Sequence, residues 1–161
     1  MRRNALWTVG LLLLGLVACG ENLGPVKGAW TTVSGTIASR VSEWKKRQSE
    51  AQAALKALPP VAADDTAGKA IRDQLDGALA REAKAIADAE ALMSTARTSY
   101  EQAVKAGKVA GVQKVVDDTN ARFTTLETAF SSATAQSSTL LARLGNHGGP
   151  SPSAAATSAG R

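Results

Sequence analysis

A single cysteine, Cys19, and a single histidine, His147, leave this 161-residue chain short of the side chains from which most active sites are built. One cysteine excludes an intrachain disulfide, so stability has to come from packing. Zinc needs several His, Cys or carboxylate ligands converging on one point, and neither a His-Glu-x-x-His nor a paired-cysteine spacing occurs. His147 stands in the glycine-rich stretch Gly145-Asn146-His147-Gly148-Gly149, where no Ser-His-Asp or Cys-His arrangement would find a base held in place. Gly107-Lys108-Val109-Ala110-Gly111 sets glycines near a lysine but lacks both the P-loop order and a preceding strand. Aromatic residues make up only 4% of the chain, which argues for a thin core rather than a deep globular one. Long apolar runs are missing too: residues 5–17 fall short of the roughly 20 needed to cross a bilayer.

That apolar run nevertheless has a clear context. Arg2 and Arg3 precede it, Leu11-Leu12-Leu13-Leu14 forms its centre, and Leu16-Val17-Ala18-Cys19 closes it. A basic start, a short apolar block and a small residue before the cut form an export signal. Together with Cys19, the segment resembles the signal peptide and lipobox of bacterial lipoproteins. The resemblance covers residues 1–21 and assigns no family to the rest. It implies a signal peptide over 1–18, cleavage between Ala18 and Cys19, a diacylglyceryl thioether on the Cys19 sulfur and an acyl chain on the new amino group. At about 0.8 kcal/mol per buried methylene, two or three chains make a stable anchor. Residues 19–24 would be the lipidated N-terminus and a short linker. Similar lipoproteins kept at the inner membrane carry Asp after the cysteine, whereas Gly20 and Glu21 follow here. The analogy favours the periplasmic leaflet of an outer membrane, or the outer face of the cell membrane in a host with only one.

Without Arg2 and Arg3, the 19 basic residues become 17 against 14 acidic ones, a net charge of +3. This is an ordinary surface balance and gives no case for a nucleic-acid partner. The basic run Lys45-Lys46-Arg47 is flanked by Glu43 and Glu50, as on a solvated helix face, with lipid head groups as the alternative contact.

Three segments carry helical periodicity. In the third, apolar or small residues recur at Val109, Val112, Val116, Thr119, Phe123, Leu126, Phe130, Ala133, Ser137, Leu140 and Leu144. This alternation of three and four is a heptad seam. The second, over 65–106, carries Ile71, Leu75, Leu79, Ile86, Ala89, Met93, Ala96, Tyr100 and Ala103, with Glu82 or Ala83 filling a gap in the stripe. Asp64 or Asp65 is placed to cap it. The first, over 25–58, follows Pro25 and carries Val26, Trp30, Val33, Ile37, Val41, Trp44, Ala51, Leu55 and Leu58. Thr31, Thr32, Ser34, Gly35 and Thr36 are weak helix formers, so fraying or a bend near Gly35 is expected.

Pro59-Pro60 and Gly107 mark the breaks, and links this short favour antiparallel neighbours. The predicted fold is all-α: an elongated antiparallel three-helix bundle with coiled-coil-like packing over 25–145, with helices at 25–58, 65–106 and 108–144. A disordered tail is expected over 146–161, where glycine, serine, proline and alanine replace the pattern. The alternative is self-association of helices from several chains, as in the trimeric murein lipoproteins, which this chain resembles only in being lipidated and helical.

Asp64-Asp65 and Asp117-Asp118 invite a metal or acid–base reading. Neighbouring positions on a helix point about 100° apart, however, so each pair reads first as a cap or a solvated face. Trp30 and Trp44 lie on the first apolar stripe and read first as core. Their second reading is partner contact, with Trp30 the better candidate because it is nearer the anchor and within the weak helical stretch. The function expected is a non-enzymatic, lipid-anchored helical scaffold or interaction module in the envelope, with no cofactor beyond the lipid and no metal. An envelope protein or another copy would be its partner. The alternatives are an accessory subunit of an envelope or secretion complex and a noncovalent cell-wall spacer. Covalent wall linkage of the murein-lipoprotein kind uses a C-terminal lysine, and Arg161 stands there.

Overall fold

The computed structural model describes residues 21–147. They form three helices, α1 (Gly24–Ala57), α2 (Thr66–Ala106) and α3 (Val109–His147). The helices run up, down and up as an elongated antiparallel bundle. At about 1.5 Å per residue, α2 spans about 60 Å. The expected tail from 148 onward lies outside the described residues.

The junctions follow from local chemistry. The Asp65 carboxylate accepts the Gly68 N–H at 2.8 Å and caps α2. Gly68 is buried there, and a Cβ on it would meet the Asp65 carboxylate and come 2.8 Å from Val61 Cγ1. Gly107 ends α2 with φ 70° and donates its N–H to the Val104 carbonyl at 3.0 Å. Leu58, at φ −73° and ψ 145°, takes the extended conformation required before Pro59.

Two expectations give way. Helix α1 runs unbroken through Gly35. Thr31, Thr32 and Ser34 return their hydroxyls to carbonyls on the preceding turn, while Trp30, Ile37 and Val41 bury the opposite side. Packing of the amphipathic face outweighs weak intrinsic propensity. Helix α3, expected to end at 144 with His147 in the tail, continues through His147. Leu144 is buried in the bundle end, and the His147 ring reaches Asp65, so Gly145 is carried as a helical residue between two held positions.

The core is a column of three clusters. Trp30, Ala96 and Val116 occupy one end. Ile37, Val41, Trp44, Ile86, Leu92, Phe123 and Phe130 lie in the middle. Leu55, Ile71, Leu75, Leu79, Leu140 and Leu144 close the other end. Helices α2 and α3 make the most extensive contact. Ala78, Ala89 and Ala133 are almost wholly buried and let these two backbones approach, whereas α1 meets the pair through the bulk of Trp30 and Trp44.

Candidate functional site

The two tryptophans, which read first as core and second as partner contacts, turn inward. Trp30 is 9% exposed and stacks on Tyr100 with ring centroids 4.6 Å apart. Trp44 is 5% exposed and stacks on both Phe123, at 5.3 Å, and Phe130, at 4.5 Å. The phenyl groups stand one heptad apart on α3, about 10.5 Å along its axis, so the indole lies between them. An exposed anchor at either tryptophan is therefore replaced by core packing. Each ring is consumed by an aromatic partner across the helix interface. Cys19 and Ala18, the expected lipidation and cleavage positions, lie outside the described residues.

The two acidic pairs stand far apart and do different work. Asp117 accepts from Gln113 at 2.8 Å and Asp118 pairs with Lys114 at 2.6 Å, both contacts along the exposed side of α3. Asp65 caps α2 and also meets His147 Nε2, with its two carboxylate oxygens at 2.9 and 3.0 Å. The Gly68 N–H, first, and the His147 side chain, second, hold the Asp65 carboxyl below its ordinary range. This clasp ties the last turn of α3 to the first turn of α2. Among the described residues, no group of three or more His, Cys, Asp or Glu side chains is placed to share a metal ion.

One carboxylate is interior. Glu82, 1% exposed, fills the gap in the α2 stripe, and Ala83 faces out. The Ser137 hydroxyl, on an equally buried position of α3, donates to Glu82 Oε1 at 2.5 Å and also lies 3.0 Å from the Thr134 carbonyl. Both polar residues occupy seam positions, but Glu82 lies 25 residues before Gly107 and Ser137 lies 30 after it, so the sequence alone did not pair them. Thr119, the third buried polar residue of the core, satisfies itself by donating to the Val115 carbonyl at 2.6 Å.

At the end where α1 and α3 begin, the Glu21 carboxylate accepts the Val109 N–H. This negative group sits at a helix N-terminus, where the exposed N–H groups and the helix dipole favour it. Asn22 Oδ1 accepts the Gly24 N–H at 3.0 Å, and Leu23 immediately precedes α1. Residues 21–23 are thus fastened to the bundle end, which shortens the free linker expected over 19–24.

Along the side, an open groove of about 860 Å³ separates α1 from α2. Ile37, Val41, Ala89 and Met93 contribute its apolar lining, small residues such as Ser34, Gly35 and Ala38 flank it, and the Lys45–Glu90 ion pair stands at one side. No described helix is long and apolar enough to cross a membrane. The chain matches no known protein family, and no curated protein or solved structure is similar to it.

Proposed function

We propose that this chain is a non-enzymatic, lipid-anchored stalk of the bacterial envelope that carries its C-terminal segment away from the membrane. The observation that carries this reading is the odd number of helices. Residue 21 sits at one end of the rod and His147 at the other, so an anchor at Cys19 and the residues after 147 leave from opposite ends about 60 Å apart. Acylation of Cys19 would confine the rod to a surface and raise its effective concentration toward partners in the same envelope. The outer membrane's periplasmic leaflet is the proposed site, from the Gly20-Glu21 sequence after the cysteine.

A second reading is favoured by one feature, the groove between α1 and α2. Its floor of core side chains is closed to solvent, but the small exposed residues Gly35 and Ala38 on its flank leave room for a helix of an envelope partner to lie close, which would make the protein an accessory subunit rather than a spacer.

Crosslinking in intact cells, comparing the native protein with Cys19→Ser, tests both. Under the stalk reading, crosslinks gather on residues 148–161 and vanish with the lipid. Crosslinks concentrated at Ser42 and Ser94 along the groove would transfer the role to partner binding. A native protein recovered without acyl chains, and unaffected by Cys19→Ser, would overturn the anchored reading.

A further inference from the structure

We propose that the end of the bundle where α1 and α3 begin is a basic foot that docks on anionic phospholipid head groups; this rests on the proposed anchoring at Cys19. Lys27 lies in the first turn of α1, Lys105 in the last turn of α2 and Lys108 in the turn between α2 and α3. All three are exposed. Among the described residues, none of them takes part in an ion pair. Two carboxylates share this end. Glu21 is occupied in capping α3, and Glu101 lies one turn back from Lys105. Lys114, a turn further along α3, is neutralised by Asp118.

The helix dipoles act in the same direction. Two N-termini and one C-terminus meet at this end, which adds a partial positive charge to the lysines. The opposite end carries the same formal charges, Lys56, Lys69 and Arg143 with Asp64 and Asp65, but there two helix C-termini meet one N-terminus, so the dipole contribution has the opposite sign and Asp65 is tied to His147.

Proximity makes the charge effective. Glu21 is held against Val109, and only Gly20 separates it from Cys19. Two residue steps reach no more than about 7 Å. An acylated Cys19 therefore brings the bundle end to within roughly one Debye length of the lipid phosphates, about 8 to 10 Å at moderate ionic strength. Juxtamembrane lysines contribute favourably at that range. The lipid supplies attachment, and the foot selects an anionic surface and sets the rod on its end.

The test uses the chain from residue 19 onward as Cys19→Ser, so that electrostatic docking is read without the acyl chains. Co-flotation at millimolar lipid is compared on vesicles of phosphatidylglycerol with phosphatidylcholine and on phosphatidylcholine alone. Binding is expected only with phosphatidylglycerol, and it should fall on the order of 100-fold in the Lys27→Gln, Lys105→Gln, Lys108→Gln variant. The matching distal variant, Lys56→Gln, Lys69→Gln, Arg143→Gln, removes equal charge and should bind as the parent does. Equal binding by parent and foot variant, or equal loss in the distal variant, would overturn the foot. Helicity by circular dichroism confirms that each variant is folded. The mass of the native protein from the membrane fraction is read separately. An unacylated mass would end the anchoring reading whatever the vesicles show, and an acylated mass with no foot effect would end this proposal alone.

Discussion

The Ser137 hydroxyl and the Glu82 carboxylate meet 2.5 Å apart in an interior where each residue is 1% exposed. The contact joins α2 to α3 at a level where apolar seam residues stand on either side, Leu79 and Ile86 on one helix and Ala133 and Leu140 on the other. A buried carboxylate is costly unless its lone pairs are bonded, and the Ser137 hydroxyl supplies one such bond.

Removing either partner therefore has unequal consequences. Ser137→Ala leaves the carboxylate without its hydroxyl donor and should cost about 1 to 3 kcal/mol. Glu82→Leu removes the charge and fills the space, and should match or exceed the parent in stability. Urea denaturation of both variants checks this. A Ser137→Ala midpoint equal to the parent's would mean that the hydroxyl contributes nothing.

Trp44 and Trp30 should differ in the same sense as their surroundings. Trp44 is held between two phenyl rings in the central cluster, and Trp44→Ala should cost about 3 to 5 kcal/mol, a large share of a domain's stability. Trp30 packs in the small end cluster beside the half-buried Tyr100. Trp30→Ala should loosen the first turns of α1 and the last turns of α2 while the distal cluster keeps its protection. Native-state hydrogen exchange separates the two patterns. Uniform loss of protection in Trp30→Ala would show that the three clusters unfold as one unit.

Gly107 is the one residue of positive φ among those described. Gly107→Ala forces a side chain into the left-handed region and should cost about 1 to 2 kcal/mol, with Gly107→Asn costing less. Thermal denaturation reads the order Gly, Asn, Ala, and an alanine variant as stable as the parent would remove the strain argument.

Much of this architecture is written in periodicity. Every buried α3 residue falls on the predicted seam, because a heptad alternation leaves one geometric choice of face. On α2 the single predicted stripe is too narrow. Ala78, Ala85 and Leu92 are buried as well, since α2 faces two neighbours and alanine carries little periodic signal. The Asp65 cap and the Gly107 terminus were legible because each depends on its own few residues. The Glu21–Val109 and His147–Asp65 contacts were not, because they join residues 88 and 82 positions apart at bundle ends whose juxtaposition exists only after folding. The tryptophans show the same limit: their stripe predicted burial, and only the positions of Tyr100, Phe123 and Phe130 across the interface decide it.

The distal clasp predicts a dependence on acid. Asp65 is held below its ordinary range in the folded chain, so the folded state binds its proton less readily than the unfolded chain does. The stability this contributes is fully present above the unfolded value, about pH 4, and is lost as pH falls through the folded one. Asp65→Asn keeps an N-cap acceptor for Gly68 while removing the ionised group, so its stability should fall less steeply on the acid side. His147→Gln removes what the imidazole contributes and should keep part of the acid dependence, since the Gly68 N–H still favours the carboxylate. Urea midpoints followed from about pH 6 down to about pH 2 distinguish the three chains. If parent and Asp65→Asn lose stability along the same acid slope, Asp65 serves α2 as a cap alone and the acid sensitivity belongs to other carboxylates.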